Sequence, residues 1–433
     1  MRCALAVAAW LGWLGFAVTL WRSGARAEEP REGILAGAPD PSAIALEPMG
    51  KGYAVFATGR GIPIYRSEDL VRWRRAGAVF EQAVPRWALE KVPGARGVWA
   101  PHVERFGGRY HLYYAVSTFG SQRSLIGLAA NRTLDPESPE YRWEDLGEVI
   151  ASRPGDRFNA IDPAAFVDED GRVYLFWGSF WSGIYAVELD PATGKPREGE
   201  KHVPVADRRE PPNAIEAPYV VFRDGRYYLF VSFDACCEGA KSTYKVMVGR
   251  SERVLGPYAD ASGRPLLEGG GTLVLASHGR WRGPGHNSVL KVGERSWLVH
   301  HTYDLEHLEH QRILQVRPLY WLEDGWPVAG EPLAETAGSP SREIAPERVA
   351  GTWVELVDYR EDSPRKLELL SDGKIRDREG GVWSLRGNRL SISWKDATAP
   401  GGVAKGERIL EPWGRSYAGR DERGAVLLGR KGE

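Results

Sequence analysis

The sequence predicts an all-β fold: a five-bladed β-propeller over residues 34–330, followed by a small antiparallel β-barrel or sandwich over residues 347–430. Three observations carry this expectation. Five segments, at 52–56, 109–113, 172–176, 226–230 and 295–299, each pair a polar turn with a strand-like, mostly aromatic-rich run. Their centres fall at 54, 111, 174, 228 and 297, and a strand-and-turn unit that returns at such intervals reads as a propeller blade. The 51 Gly and 29 Pro in 433 residues leave little room for long helices. Beyond residue 346, Leu390, Ile392 and Trp394 alternate with polar residues, and Asp372-Gly373 and Gly380-Gly381 mark hairpins.

Taken in order, the chain opens with Arg2 and then 19 apolar or near-neutral positions from Cys3 to Trp21. Arg22 and Arg26 follow, with a small-x-small cleavage pattern at Ala25-Arg26-Ala27. Residues 1–27 therefore read as an export signal, giving a secreted or periplasmic protein, or as an uncleaved anchor. Within the blades, Asp170-Gly171 and Asp224-Gly225 are hairpin signals ahead of the third and fourth strands of the repeat. Residues 331–346, with Pro332, Pro340 and Pro346, read as a linker. The 57 Lys+Arg balance 58 Asp+Glu, which excludes the basic excess of a nucleic-acid protein; a monomer is expected. Apart from Cys3, the cysteines are the adjacent pair Cys236 and Cys237. Two readings stand for them: reduced thiols at a strand end, or an oxidised vicinal pair that stiffens a loop.

A second repeated element precedes each of the five centres: Asp40-Pro41, Trp99-Ala100-Pro101, Asp162-Pro163, Glu216-Ala217-Pro218 and His286-Asn287. Pro at the start of a strand costs no ladder bond. If each element opens the innermost strand of its blade, then Asp40, Trp99, Asp162, Glu216 and His286 face one axis. One Asp-Pro alone is a turn. Three acids at the equivalent place of a repeat are harder to dismiss, because clustered carboxyls repel and raise one another's pKa. Their use is acid and base work on a glycosidic bond, or else a cation site.

The ordered series Trp99-Ala100-Pro101, 111–120, Asn159-Ala160-Ile161-Asp162-Pro163, 178–181, 215–218, 232–237, Gly269-Gly270-Gly271-Thr272, Gly285-His286-Asn287 and 317–321 resembles glycoside hydrolase family 43. Within it, the series is similar to the arabinan endo-1,5-α-L-arabinanases, over residues from about 36 to 330. The resemblance implies a five-bladed propeller and an inverting hydrolase acting on plant arabinan. It assigns Asp40 as general base, Glu216 as general acid, and Asp162 as the carboxyl that raises the acid's pKa and holds it in place. Inversion asks for a base and an acid about 6.5–9.5 Å apart. By the same resemblance Trp99 and Phe119 line sugar subsites, Asn159 and Ser179 are polar positions beside them, and His286 stands near a central ion, usually Ca²⁺.

Two positions depart from the family pattern. Pro39 stands where a His normally precedes the base, and His102 where an acid normally follows Trp-Ala-Pro. The segment from Asp304 to Gln311 is also unlike the family and reads as a solvated loop. Two other functions fit the sequence: an exo-acting β-xylosidase or α-L-arabinofuranosidase, and a glycan-binding propeller that has lost catalysis. In the C-terminal region Trp353, Trp383, Trp394 and Trp413 are read as core packing rather than a sugar platform.

Overall fold

The computed structural model describes residues 35–46, 52–333, 344–412 and 414–432. The N-terminal signal or anchor, most of the linker and Trp413 lie outside these residues. The fold is the one the repeat implies: five antiparallel blades around a hub, then one further sheet. The innermost strands are Ser42–Ala45, Trp99–Phe106, Ala164–Val167, Ile215–Arg223 and Trp281–Val292, each in contact with the next around the ring.

All five aromatic-rich segments lie in or lead into the second strand of a blade: Tyr53–Phe56, Arg109–Val116, Val173–Trp177, Arg226–Phe233 and Arg295–Asp304. Middle strands are covered on both faces by neighbouring blades, so they read as apolar runs rather than strict alternations. Val173–Trp177 is buried at every position, and so is Ser124–Asn131 in the second blade.

The ring is closed by the start of the described chain. The two-residue strand Leu35–Ala36 pairs antiparallel with Arg312–Trp321 of the fifth blade, Leu35 opposite Leu314. The next residue continues the tie, Gly37 N–H donating to the Arg312 carbonyl at 3.1 Å. A ring otherwise ends in two unpaired edges; closing it here also seats Asp40 beside the fifth blade.

The C-terminal region is one curled antiparallel sheet of seven strands. From one edge to the other they run Arg365–Leu369, Gly351–Val357, Val426–Lys431, Ser416–Asp421, Val403–Leu410, Arg389–Lys395, Val382–Arg386. Trp353, Trp383 and Trp394 are buried in its concave core. Its other face shares a core with the outer fourth and fifth blades, where Ile409, Ala418 and Leu428 pack with Val274, Leu319 and Val328. Arg430 adds a two-pronged ion pair to Glu331, at 2.8 and 3.0 Å.

Candidate active site

Two of the five innermost strands are led in, and the other three interrupted, by a single residue in the left-handed region. These are Asp40 (φ 54°), Ala100 (φ 44°), Asp162 (φ 57°), Ala217 (φ 56°) and His286 (φ 50°). Asp and His tolerate this region better than most L-residues, and the local reversal costs on the order of 1–3 kcal/mol. It turns the chain at the same height in every blade. Sequence alignment of the repeat is corrected here by one residue in two blades. The structural equivalents of Asp40, Asp162 and His286 are Ala100 and Ala217; Trp99 and Glu216 stand one position earlier. Both strands absorb the offset in a register shift, between Trp99 and His102 and between Glu216 and Tyr219.

Asp40 is buried and held by three side chains from the fifth blade. Arg312 Nη1 donates to its Oδ1 at 3.3 Å. His286 Nδ1 lies 3.5 Å from the same oxygen. His301 Nδ1 is 3.2 Å from the Asp40 backbone N and 3.1 Å from Oδ1, so it serves one or the other according to tautomer. Burial alone would raise this carboxyl. The charges of Arg312 and His286 and the His301 hydrogen bond outweigh burial and hold it well below the usual carboxylate range. Burial in turn lowers His301 to about 4, so it is a neutral partner near pH 7.

Glu216 is half-buried, and two hydroxyls fix its carboxyl. Tyr244 donates to Oε1 at 2.7 Å and Ser179 to Oε2 at 2.8 Å. Tyr244 can approach only because residue 285 is glycine: a Cβ there would lie 2.1 Å from the Tyr244 ring. Asp162 grips the backbone just beyond Glu216, its Oδ2 accepting the Ala217 N–H at 3.1 Å. The carboxyl that this environment pushes up is Asp162, first through burial, then through the neighbouring charges of Glu216 and Asp40. The group raised is thus Asp162 itself, where the family resemblance has Asp162 acting on Glu216.

Above these groups opens a cleft of about 710 Å³. All eight residues singled out from the sequence line it: Asp40, Trp99, Phe119, Asn159, Asp162, Ser179, Glu216 and His286. Phe119 stands at its rim 88 % exposed, a flat apolar face offered to solvent. Trp181, 39 % exposed, adds a second such face. Cys236 and Cys237 line the wall, joined as a vicinal disulfide, and Arg312 Nη1 lies 3.7 Å from Cys237 Sγ. Pro39 gives up any side-chain donor beside the base, but the imidazoles of His301 and His286 supply that side. His102 lies below the cleft in the hub, packed on Tyr219 with ring centroids 5.5 Å apart and lowered to about 4 by burial.

Sequence reasoning missed Arg312, His301, Tyr244 and Trp181. Trp181 carried a usable signal, standing beside Ser179 in a segment already singled out. The hub also holds buried polar atoms without a protein partner: Nε2 of His102 and His301, and both amide atoms of Asn287. Such groups are ordinarily satisfied by water or an ion.

The fold and cleft together define a sugar-cleaving propeller: carboxyls meeting at a hub, one held ionised and one raised, beneath exposed aromatic faces. The sequence matches the family model of glycosyl hydrolases family 43 over residues 31–327. It is 40 % identical over 295 residues to the extracellular exo-α-(1→5)-L-arabinofuranosidase of Cellvibrio japonicus, covering 65 % of this chain and 84 % of that one. It is 38 % identical over 282 residues to the extracellular endo-α-(1→5)-L-arabinanase 1 of Bacillus subtilis, covering 64 % of this chain and 84 % of the relative. Among solved structures, the Cellvibrio cellulosa α-L-arabinanase complexed with arabinohexaose superposes with a TM-score of 0.64 at 37 % identity, over 68 % of this chain and 96 % of that one. An endo-1,5-α-L-arabinanase from Thermotoga petrophila, at 24 % identity, shares the fold over 92 % of this chain and 99 % of its own, with a TM-score of 0.73. The protein belongs to glycosyl hydrolases family 43 and is a glycoside hydrolase.

Proposed function

We propose that the enzyme is secreted and cleaves α-1,5-linked L-arabinofuranosyl chains of arabinan internally, with inversion at the anomeric carbon. The observation that carries this reading is the division of labour among three carboxyls in one cleft: Asp40 is held ionised, Asp162 is pushed up by burial and by its two acidic neighbours, and Glu216 is fixed by the hydroxyls of Tyr244 and Ser179. Asp40 takes a proton from a water poised opposite the leaving group, and that water attacks the anomeric carbon. Glu216, steered by Tyr244 and Ser179, gives its proton to the departing sugar oxygen. Asp162, raised by burial and by the charges of Glu216 and Asp40, stands beside the acid, and its hold on the Ala217 N–H fixes where Glu216 points. Trp99, Phe119 and Trp181 stack on sugar faces, which lack charge but present flat C–H surfaces. Asn159 supplies a polar contact.

Support for the substrate comes from the relatives, whose names describe action on α-(1→5)-linked arabinan. These relatives divide between exo and endo action. The test is a product profile on linear arabinan, with proton NMR of the first anomer released. Long oligomers of inverted configuration early in the reaction support the proposal. Arabinose or one short oligomer alone assigns exo action, and retained configuration removes the roles given to Asp40 and Glu216.

The hub residues also fit a hydrated cation such as Ca²⁺. The hub offers such an ion few protein oxygens, the Asn287 amide among them, so water would supply most of its shell, with His286 beside it. Bound there, the ion would add positive charge behind the carboxyls and organise hub water. His286 itself faces Asp40 at 3.5 Å and Asp162 Oδ2 at 4.0 Å, and so orients both.

A further inference from the structure

The segment unlike the family, between Asp304 and Gln311, is not a featureless solvated loop. It joins the second and third strands of the fifth blade, and its single 3-10 turn, Leu308–His310, is closed by His310 N–H to His307 carbonyl and Gln311 N–H to Leu308 carbonyl, each at 3.1 Å. The turn brings one ligand atom each from His307, Glu309 and His310 within 4.8 Å of one another. His307 Nδ1 lies 3.3 Å and His310 Nε2 3.9 Å from the same Glu309 oxygen, and the two rings stack with centroids 5.2 Å apart.

We propose that His307, Glu309 and His310 form a binding site for a divalent transition-metal ion of the zinc class, separate from the hub. Ligand atoms about 2.0–2.2 Å from a tetrahedral ion stand roughly 3.3 Å apart. The His307–Glu309 pair already has that separation, and small side-chain rotations bring in His310. Two imidazoles and one carboxylate select a borderline metal over Ca²⁺ or Mg²⁺, which prefer oxygen alone. Solvent would take the fourth position. The loop is held at its base by Asp304, which is completely buried and paired with Arg280. It runs directly through Gln311, at φ 58°, into Arg312, the residue that reaches Asp40. An ion on the turn therefore tethers the chain segment that presents Arg312 to the base.

The test uses the full chain, stripped of metal and returned to buffer with excess Ca²⁺ to satisfy the hub. Equilibrium dialysis against Zn²⁺ should give about one ion per chain for the wild type and a loss of that ion in the His307→Ala/His310→Ala double variant. Co²⁺ in place of Zn²⁺ should give the visible absorption of four-coordinate cobalt in the wild type alone. Equal stoichiometry in wild type and variant overturns the proposal. A second readout needs no variant: Zn²⁺ should protect His307 and His310 of the wild type from diethylpyrocarbonate, followed by peptide mass spectrometry. Unchanged modification of both histidines in the presence of Zn²⁺ also overturns it.

Discussion

Glu355 in the C-terminal sheet and Asp162 at the propeller hub are both buried carboxyls, and their surroundings differ. Glu355 is fully covered, yet every oxygen is met: Arg365 on Oε1 at 3.0 Å, with Arg408 at 2.7 Å and Tyr417 at 2.9 Å on Oε2. Two cations serve one acid. At the hub one arginine, Arg312, serves Asp40, while Asp162 shares its space with two other acids and receives a single backbone N–H. The first arrangement spends its charges on holding strands together. The second pushes one carboxyl up beside two other acids in an open cleft, an arrangement that serves a reaction. Compensation, rather than burial, separates these two acids.

The largest contrast should come from removing one acid in each region. Glu216→Gln should lower kcat by about 10²–10⁴-fold, the usual worth of general acid catalysis, with the denaturation midpoint nearly unchanged. Glu355→Ala should do the reverse. It strands Arg408 without its carboxylate in the sheet core, which costs about 3–5 kcal/mol in urea denaturation, while folded enzyme keeps its kcat. A stability loss in Glu216→Gln as large as that in Glu355→Ala would erase the distinction.

A smaller effect sharpens the pH logic. Asp40 is held low, so the base stays ionised to below the ordinary carboxylate range. Asp162 is held high, so it keeps its proton above that range. The kcat/KM profile should therefore be a broad bell. Asp162→Asn removes the raised carboxyl and its charge interaction with Glu216, so the alkaline limb should move to lower pH. Arg312→Met acts on the other limb: without the cation, burial raises Asp40, and the acidic limb should move to higher pH, with kcat/KM falling about tenfold. Limbs that stay in place would detach Asp162 and Arg312 from the titrating groups. The smallest effect should follow Cys236→Ser/Cys237→Ser. Loosening one wall of the cleft should raise KM on arabinan by about two- to threefold through poorer positioning, with kcat on a short aryl glycoside unchanged.

Much of this architecture was legible beforehand, and the reason is covalent repetition. A blade cannot bury its faces alone, so it must recur, and recurrence shows as the aromatic second strands around residues 54, 111, 174, 228 and 297. The acids were legible because they sit at a fixed place in that repeat, next to Pro or to Ala-Pro. The one-residue offset of Trp99 and Glu216 was not, since a bulge is invisible until the ladder is drawn. Neither was the closing strand Leu35–Ala36, too short to carry a pattern.

By its pattern alone the chain determined the five-fold ring, the trailing β-sheet and the carboxyls that would meet at the hub, because periodic burial leaves a periodic trace. Tertiary structure decided which acid is held low and which is pushed up. Arg312 lies 272 residues from Asp40, His301 lies 261 residues away, and Tyr244 lies 28 from Glu216. Electrostatic surroundings are set by distance in space, and no local sequence pattern encodes that distance until the ring has closed.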